Sequence, residues 1–295
     1  MGRSFFFPHL MPKKTAIFLG MLAVIVLIIG GLLLFRLSAG ASKGKHRRIE
    51  LCRGPFKLYC FPSIKPETAA VILFASGDGG WSNLEAAICH AFQNQGYAVI
   101  GINSAAYASS DYTLDILQSD FSKIARTAQA PFGDHPPPLI VGGYSMGAAQ
   151  AIAVAGGPHP PRGLVGLLLV DPCSRGRYGL RSSDKMNILP TGSGTFGVAA
   201  FSNTIGSMRV VQWHAAEDSI DSSTWLDSLT AQHKIFTFPD TGHYYDAHRE
   251  NFVRGLVDSS RWILNPTADD AVTAKTKMDP GASRFPHLKP RFHRR

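Results

Sequence analysis

The chain has 295 residues, of which 45% are hydrophobic, and this length and composition can supply a full core without disulfides or metal ions. Its formal net charge is +9, but the excess of basic over acidic residues lies before residue 49 and after residue 274, and the stretch between them is mildly acidic. No aromatic-basic groove or nucleic-acid motif accompanies the basic ends, which excludes nucleic acid as the expected partner. A solubilising tail and a segment that lies on anionic lipid remain as two interpretations of these ends.

An uncharged apolar run near the amino terminus predicts one membrane span. As a helix, residues 16–35 would cover about 30 Å, the thickness of a bilayer core. We therefore predict a transmembrane signal anchor over residues 16–36. A cleavable signal peptide is the alternative, because residues 39–41 have the small-residue form of a cleavage site, but the run is longer than a usual signal-peptide core. Counting flanking positive charges would put the large domain in the cytoplasm, so the topology stays open.

Composition divides the chain into five predicted segments. They are a short basic segment (1–15), the anchor (16–36), a linker (37–47), an α/β domain (48–264) and a basic, disordered tail (265–295).

Apolar strands and amphipathic helices alternate within the α/β domain, which predicts a mostly parallel sheet with helices on both faces. The expected strands lie near 48–53, 57–61, 70–75, 97–102, 139–142, 164–170, 209–214 and 234–238. The expected helices are 83–95, 114–128, 146–155, 223–232 and 245–263. Residues 172–208 are rich in Gly, Ser and Arg and show no clear period. They are interpreted either as a short lid over the carboxyl ends of the strands or as an ordered surface loop.

The four cysteines match no metal-ligand spacing, and we expect neither a metal nor a cofactor. Cys52 and Cys60 flank a predicted turn between two strands. They are interpreted either as a disulfide across a hairpin, if the domain lies outside the cytoplasm, or as two separate thiols.

The pentapeptide Gly143-Tyr144-Ser145-Met146-Gly147 joins an apolar strand to a helix of small residues. Glycines two positions before and after a serine permit a sharp strand-to-helix turn that exposes the hydroxyl at the top of a sheet. Ser145 is therefore the predicted nucleophile of a serine hydrolase.

A serine nucleophile needs a base and an orienting carboxylate, which follow it in the order acid, then histidine, in hydrolases built on this kind of sheet. Asp218 follows the strand at 209–214, and His243 follows the next strand. We predict Asp218 as the acid and His243 as the base. Asp171 and Glu217 remain the alternative acids.

The oxyanion of the reaction needs backbone N–H donors. These are predicted to come from Met146, directly after the nucleophile, and from Asp78 or Gly79 in the glycine-rich loop after the strand at 70–75. Asp78 either caps the following helix or binds a cationic group of the substrate. Four side chains near these motifs are predicted to bind substrate: Asp78, Trp81, Tyr144 and Tyr244.

The strings S-G-D-G-G-W at 76–81, G-Y-S-M-G-A at 143–148 and G-H-Y-Y-D at 242–246 resemble those of the bacterial virulence proteins VirJ and AcvB. The resemblance covers roughly residues 57–263 and implies an extracytoplasmic α/β-hydrolase fold. AcvB-like members hydrolyse the aminoacyl ester of lysyl-phosphatidylglycerol. By motif position, Ser145, Asp218 and His243 would be the triad. The chain departs from the family at Tyr244 and Tyr245, where members carry a second histidine and a phenylalanine.

The expected protein is thus a serine hydrolase anchored in the bacterial inner membrane, with its catalytic domain in the periplasm and an aminoacylated lipid as substrate. Its expected partners are a lipid or small-molecule ester and an anionic membrane surface, with secretion-system proteins as a further class. Two alternatives remain open: a non-enzymatic periplasmic interaction module of a secretion system, and a general carboxylesterase or thioesterase.

Overall fold

The computed structural model of the chain describes residues 44–186, 188–218, 224–245 and 249–265. Within these ranges, no helix has the length and apolar character needed to cross a bilayer. The predicted anchor at 16–36 lies outside the described residues, as does the predicted tail beyond residue 265.

The strands agree closely with the apolar runs of the sequence. Those described are β1 (Lys45–Leu51), β2 (Gly54–Phe61), β3 (Val71–Ala75), β4 (Ala98–Ile102), β5 (Leu139–Tyr144), β6 (Leu164–Val170), β7 (Arg175–Arg177), β8 (Thr195–Gly197), β9 (Arg209–Ala215) and β10 (His233–Phe238). The first strand begins inside the stretch predicted as a linker.

Eight of these strands form one sheet in the order β1-β2-β4-β3-β5-β6-β9-β10. β2 runs antiparallel to both β1 and β4, and every other neighbouring pair is parallel. β7 and β8 form a separate antiparallel pair. The predicted mostly parallel sheet is therefore confirmed.

The helices cover both faces of the sheet. They are α1 (Asn83–Asn94), α2 (Ser104–Tyr107), α3 (Leu114–Gln129), α4 (Met146–Gly156) and α5 (Arg249–Leu264). Apolar residues of α3 and α4 join one buried cluster with the sheet, and those of α1 and α5 join a second cluster on the opposite face. β3 and β5 are buried along their whole length because they lie between these two layers.

Side-chain caps explain where two of the helices begin. Ser82 Oγ accepts a hydrogen bond from the N–H of Leu84, and the carboxylate of Glu85 accepts one from the N–H of Ser82, which forms a capping box at α1. Thr113 caps α3 through a hydrogen bond from the N–H of Ile116. These contacts satisfy N–H groups that lack a partner within the helix.

The predicted helix at 223–232 is wrong. The structure has a short 3₁₀ turn at Thr224–Ser228, and its last hydroxyl, of Ser228, donates to the carbonyl of Trp225. Serine and threonine hydroxyls compete for backbone groups in this way and favour turns over continuous helices. Other 3₁₀ turns lie at Ala130–Phe132, Asp184–Met186 and Val198–Phe201.

The disulfide interpretation of Cys52 and Cys60 is also wrong, because both thiols are free. In the β1–β2 hairpin, Cys52 lies in the turn between Leu51 and Gly54, whereas Cys60 pairs with Lys45 at the other end of the ladder. The two-residue turn fixes this register and keeps the thiols apart.

Candidate active site

Ser145 lies on a sharp turn between β5 and α4, at the carboxyl end of the central strands. Its backbone has φ 52° and ψ −116°, a conformation that non-glycine residues rarely adopt, and its N–H donates to the carbonyl of Val170 at 2.8 Å. Such strain persists where the surrounding structure enforces it, and it is a feature of functional sites. The turn has the geometry of a nucleophile elbow.

The two flanking glycines are required by close backbone contacts. A Cβ atom on Gly143 would lie 2.4 Å from the carbonyl carbon of Gly147. A Cβ atom on Gly147 would lie 2.3 Å from the carbonyl oxygen of Ala75, at the end of β3. Because the contacted atoms belong to the backbone, they cannot move aside, and only glycine fits at either position.

His243 and Asp218 form a hydrogen-bonded pair at the ends of the last two strands of the sheet. His243 Nδ1 lies 2.5 Å from Asp218 Oδ2, and the side chains are 13% and 1% exposed. β9 and β10 are parallel, so the loops that follow them meet at one edge of the sheet. The pairing leaves Nε2 of the imidazole for a further proton transfer.

The surroundings of His243 affect its pKa in opposite directions. Burial lowers the pKa because it disfavours the charged imidazolium, whereas the hydrogen bond and charge of Asp218, with the charges of Asp171 and Asp78, raise it. The net effect is a raised pKa. The three carboxylates thus favour the protonated imidazolium form of His243.

The two alternative acids occupy different positions. Asp171 is fully buried after β6, where its Oδ1 accepts the N–H of Ala215 at 2.9 Å and lies 3.8 Å from His214 Nδ1. Glu217 is exposed. The carboxylate of Asp218 accepts a hydrogen bond from the imidazole of His243 at 2.5 Å, which matches the predicted assignment of the acid.

One group of side chains in the described ranges could hold a metal ion. Single ligand atoms of Asp171, Asp218 and His243 all lie within 4.8 Å of one another. Two of these atoms, His243 Nδ1 and Asp218 Oδ2, form the hydrogen bond described above. The chemistry of a serine nucleophile uses these same groups without a metal.

Tyr144, the residue before the nucleophile, holds the loop that carries His243. Its hydroxyl donates to the His243 carbonyl at 2.7 Å, and the two rings lie 4.9 Å apart. Burial is the main reason that the pKa of Tyr144 is raised, so this phenol stays a hydrogen-bond donor. Tyr144 was predicted to bind substrate, and the structure shows it linking the elbow to the histidine loop.

Ser145 Oγ makes no hydrogen bond to the His243 imidazole within the described part of the chain; its polar neighbour is Cys173 Sγ, at 3.9 Å. Hydrogen bonds between catalytic groups are often long before substrate binds. The elbow and the His243–Asp218 pair lie at the same edge of the sheet, and their action as one triad stays a prediction.

Two of the three predicted oxyanion donors, Met146 and Asp78, line a cavity together with Ser145. Met146 is the first residue of α4, so its N–H has no acceptor within the helix. Asp78 lines a cavity together with Ser145 and Met146, whereas Gly79 is exposed in the same loop and does not line that cavity.

The cavity beside Ser145 has a volume of about 50 Å³. Much of its wall comes from the segment after β6, which was predicted as either a lid or a surface loop: Cys173, Arg175, Gly176, Arg177, Gly179, Asp184, Ile188, Leu189 and Pro190. The segment covers the nucleophile, which is only 6% exposed.

The other predicted substrate-binding aromatic residues lie apart from this cavity. Trp81 stacks on Tyr59, with ring centroids 4.3 Å apart, and it packs against Gly101, where a Cβ atom would approach the indole to 2.0 Å. Tyr244 is 63% exposed, with its ring edge-on to the His243 imidazole at 5.6 Å. Trp81 therefore packs on the sheet, and Tyr244 lies at the outer side of the histidine loop.

Cys173 and Arg175 are cavity residues that the sequence patterns missed. They follow β6 directly, and β6 is the neighbour of β5, which ends at the nucleophile. Their position just past the end of this neighbouring strand was the available signal, since the loops after adjacent parallel strands lie side by side.

Comparison with protein families supports the sequence resemblance. The family described as bacterial virulence protein (VirJ) matches residues 69–155, a region that runs from the start of β3 through the elbow to α4. The predicted resemblance to VirJ is confirmed. No curated protein matches the chain at the sequence level.

Solved structures share the architecture of this VirJ-like domain at low sequence identity. The esterase domain of a Rhodothermus marinus protein is 15% identical, with a TM-score of 0.57, over 75% of this chain and 97% of that one. A thermostable carboxyl esterase from Bacillus coagulans is 13% identical, with a TM-score of 0.58, over 75% and 98% of the chains. A monoglyceride lipase from Saccharomyces cerevisiae is 11% identical, with a TM-score of 0.56, over 75% and 95%. These similarities show the α/β-hydrolase fold.

Proposed function

We propose that the chain is a serine hydrolase that cleaves an ester through Ser145, His243 and Asp218. The observation that carries the proposal is the buried 2.5 Å hydrogen bond between His243 and Asp218 at the sheet edge where the strained elbow presents Ser145. A serine, an imidazole and an orienting carboxylate in this chain order are the parts that acyl transfer needs.

In the proposed reaction, His243 Nε2 takes the proton of Ser145 Oγ as the oxygen attacks the ester carbonyl. The N–H groups of Met146 and Asp78 bind the oxyanion that forms. The C–O bond to the alcohol then breaks, and the alcohol leaves with the proton from His243. Water attacks the acyl enzyme with His243 as base, which releases the acid and restores Ser145.

The proposed substrate is an aminoacylated lipid, with lysyl-phosphatidylglycerol as the first candidate. The resemblance to VirJ and AcvB supports it, and so does Asp78, a residue that lines the Ser145 cavity and carries a carboxylate of the charge that suits a lysyl ammonium. Three exposed apolar side chains of the covering segment offer a surface for acyl chains: Met186, Ile188 and Leu189.

We further propose that the protein is anchored in the inner membrane by residues 16–36, with the hydrolase domain in the periplasm. The basic side chains of Lys45, Arg47 and Arg48 support a location near anionic lipid, since they are exposed on the edge strand β1. Fusing a reporter that is active on one side of the membrane to the carboxyl terminus tests the orientation. Cytoplasmic reporter activity would contradict it.

A lipid assay tests the proposed function. Lipids extracted from a lipid-aminoacylating host that expresses the full chain should contain less lysyl-phosphatidylglycerol than lipids from cells expressing Ser145→Ala at the same level. The same enzyme in detergent should hydrolyse a neutral p-nitrophenyl ester, and Ser145→Ala should not. If ester hydrolysis depends on Ser145 while the lipid is unchanged, a general carboxylesterase or thioesterase is the correct assignment. If neither substrate is hydrolysed, a non-enzymatic interaction module replaces the enzyme.

A further inference from the structure

Some of the charged side chains that line the Ser145 cavity form ion pairs within the part of the chain that the structure describes, and others do not. Arg177 and Asp184 form an ion pair at 3.0 Å, and their side chains are 11% and 9% exposed. Arg177 also donates to two backbone carbonyls of the covering segment. This pair is therefore neutral as a unit, and its hydrogen bonds hold the segment together.

Arg175 contributes a positive charge that no carboxylate of the described ranges pairs with. Its Nε donates to the carbonyl of Pro190 at 3.0 Å, and its Nη2 donates to Thr195 Oγ1 at 3.1 Å. Both acceptors are neutral, so they orient the guanidinium without cancelling its charge. Nη1 has no hydrogen-bond partner among the described residues, and the side chain is exposed at the cavity.

We propose that Arg175 determines substrate specificity by binding a phosphate group of the ester that Ser145 cleaves. This inference rests on the proposed function. A guanidinium presents a planar fork of donors that matches phosphate oxygens, and charge-assisted hydrogen bonds of this kind are roughly twice as strong as neutral ones. Arg175 and Ser145 line the same cavity, so a phosphate bound at the first lies close to an ester bound at the second.

The remaining cavity lining fits the same class of substrate. Asp78 supplies one negative charge and Arg175 one positive charge, while Ile188 and Leu189 are apolar and 55% and 44% exposed. A phosphodiester lipid that carries an amino group would place each of its parts against a side chain of matching chemistry. A neutral ester would leave Arg175 unused.

Two soluble probes test the inference, because they differ only in phosphate: the lysyl ester of glycerol and the lysyl ester of glycerol phosphate. A third probe, short-chain lysyl-phosphatidylglycerol, distinguishes a phosphodiester lipid headgroup from a free phosphate monoester. The measurement is kcat/KM of the full chain in detergent for each probe. We expect wild type to prefer both phosphate-bearing probes over the neutral ester by roughly 10- to 100-fold.

Arg175→Gln should bring this preference close to unity, because kcat/KM should fall much further for the two phosphate-bearing probes than for the neutral ester. Arg175→Lys, which keeps the charge but loses the fork, should retain part of it. Thr195→Val is the matched control, because it removes an acceptor of Arg175 and leaves the guanidinium in place. If Arg175 only supports the segment, Thr195→Val and Arg175→Gln should slow all three probes alike.

Three results would overturn the inference: no phosphate preference in wild type, an unchanged preference in Arg175→Gln, or equal losses on the neutral and phosphate-bearing probes. The first two leave the proposed function intact if the neutral ester is still hydrolysed through Ser145. Loss of Ser145-dependent hydrolysis of every ester would instead remove the proposed function itself, and the inference with it.

Discussion

Replacing Asp218 with asparagine tests the central hydrogen bond of the site while it keeps the shape of the side chain. In the native structure, the carboxylate accepts the Nδ1 proton of His243 at 2.5 Å and is almost completely buried. An amide offers a weaker acceptor and also two N–H donors. If a donor faces Nδ1, the imidazole proton moves to Nε2, where it blocks acceptance of the Ser145 proton.

Two contributions determine how far kcat should fall in Asp218→Asn. Loss of a hydrogen bond to a charged group costs about 1.5–3 kcal/mol, which corresponds to roughly 10- to 150-fold in rate. The wrong tautomer adds a further loss, and together they give about 10³- to 10⁴-fold in kcat, the size found when the orienting aspartate of a serine protease is replaced.

The pH dependence of hydrolysis shows in which direction the substitution moves the pKa of His243. General-base catalysis needs neutral imidazole, so wild-type activity should rise with pH through a pKa above the ordinary histidine value. In Asp218→Asn, burial still lowers the pKa of His243, but the hydrogen bond and the charge of the Asp218 carboxylate no longer raise it. The rise of activity with pH should therefore occur at lower pH than in wild type. The assay is hydrolysis of a p-nitrophenyl ester across the pH range over which the fold is stable.

Glu217→Gln is the matched control, since this neighbouring carboxylate is exposed and should leave the rate within about twofold. Near wild-type activity in Asp218→Asn, together with loss of activity in Asp171→Asn, would contradict the assignment of Asp218. Asp171 would then be the orienting acid.

Further predictions concern the elbow, the histidine loop and the first cap. Gly147→Ala should lower the free energy of unfolding by several kcal/mol, measured by denaturant titration, because its Cβ would overlap the carbonyl oxygen of Ala75; an unchanged midpoint would contradict the close approach. Tyr144→Phe should lower kcat about 10-fold by freeing the loop that carries His243, with little change in thermal midpoint; unchanged kcat would rule out this positioning. Ser82→Ala should cost about 1 kcal/mol of stability through loss of the cap, without affecting ester hydrolysis.

The sequence predicted the architecture well because the central strands are continuous apolar runs and most of the helices between them are amphipathic. β3 and β5, for example, are buried on both faces, and such strands produce continuous apolar runs that flanking glycines and helices delimit. The positions of Ser145, Asp218 and His243 after strands were likewise visible, since each follows an apolar run at the same edge of the sheet.

The covering segment after β6 was less predictable. Its short strands, β7 and β8, are three residues each, and side-chain contacts of Arg175 and Arg177 hold them. Such contacts join residues far apart along the segment and produce no period in the sequence. The helix predicted at 223–232 failed for a related reason, because local hydroxyl–carbonyl bonds outweighed its apolar spacing.

Covalent labelling shows whether Ser145 is an activated nucleophile. The full chain in detergent is treated with a fluorophosphonate, and the modified residue is identified by peptide mass spectrometry. We expect one adduct per chain, on Ser145, which forms faster as the pH rises through the raised pKa of His243 and is absent in Ser145→Ala. Failure of the folded wild-type protein to react, or an adduct on another residue, would contradict the assignment of Ser145 as an activated nucleophile.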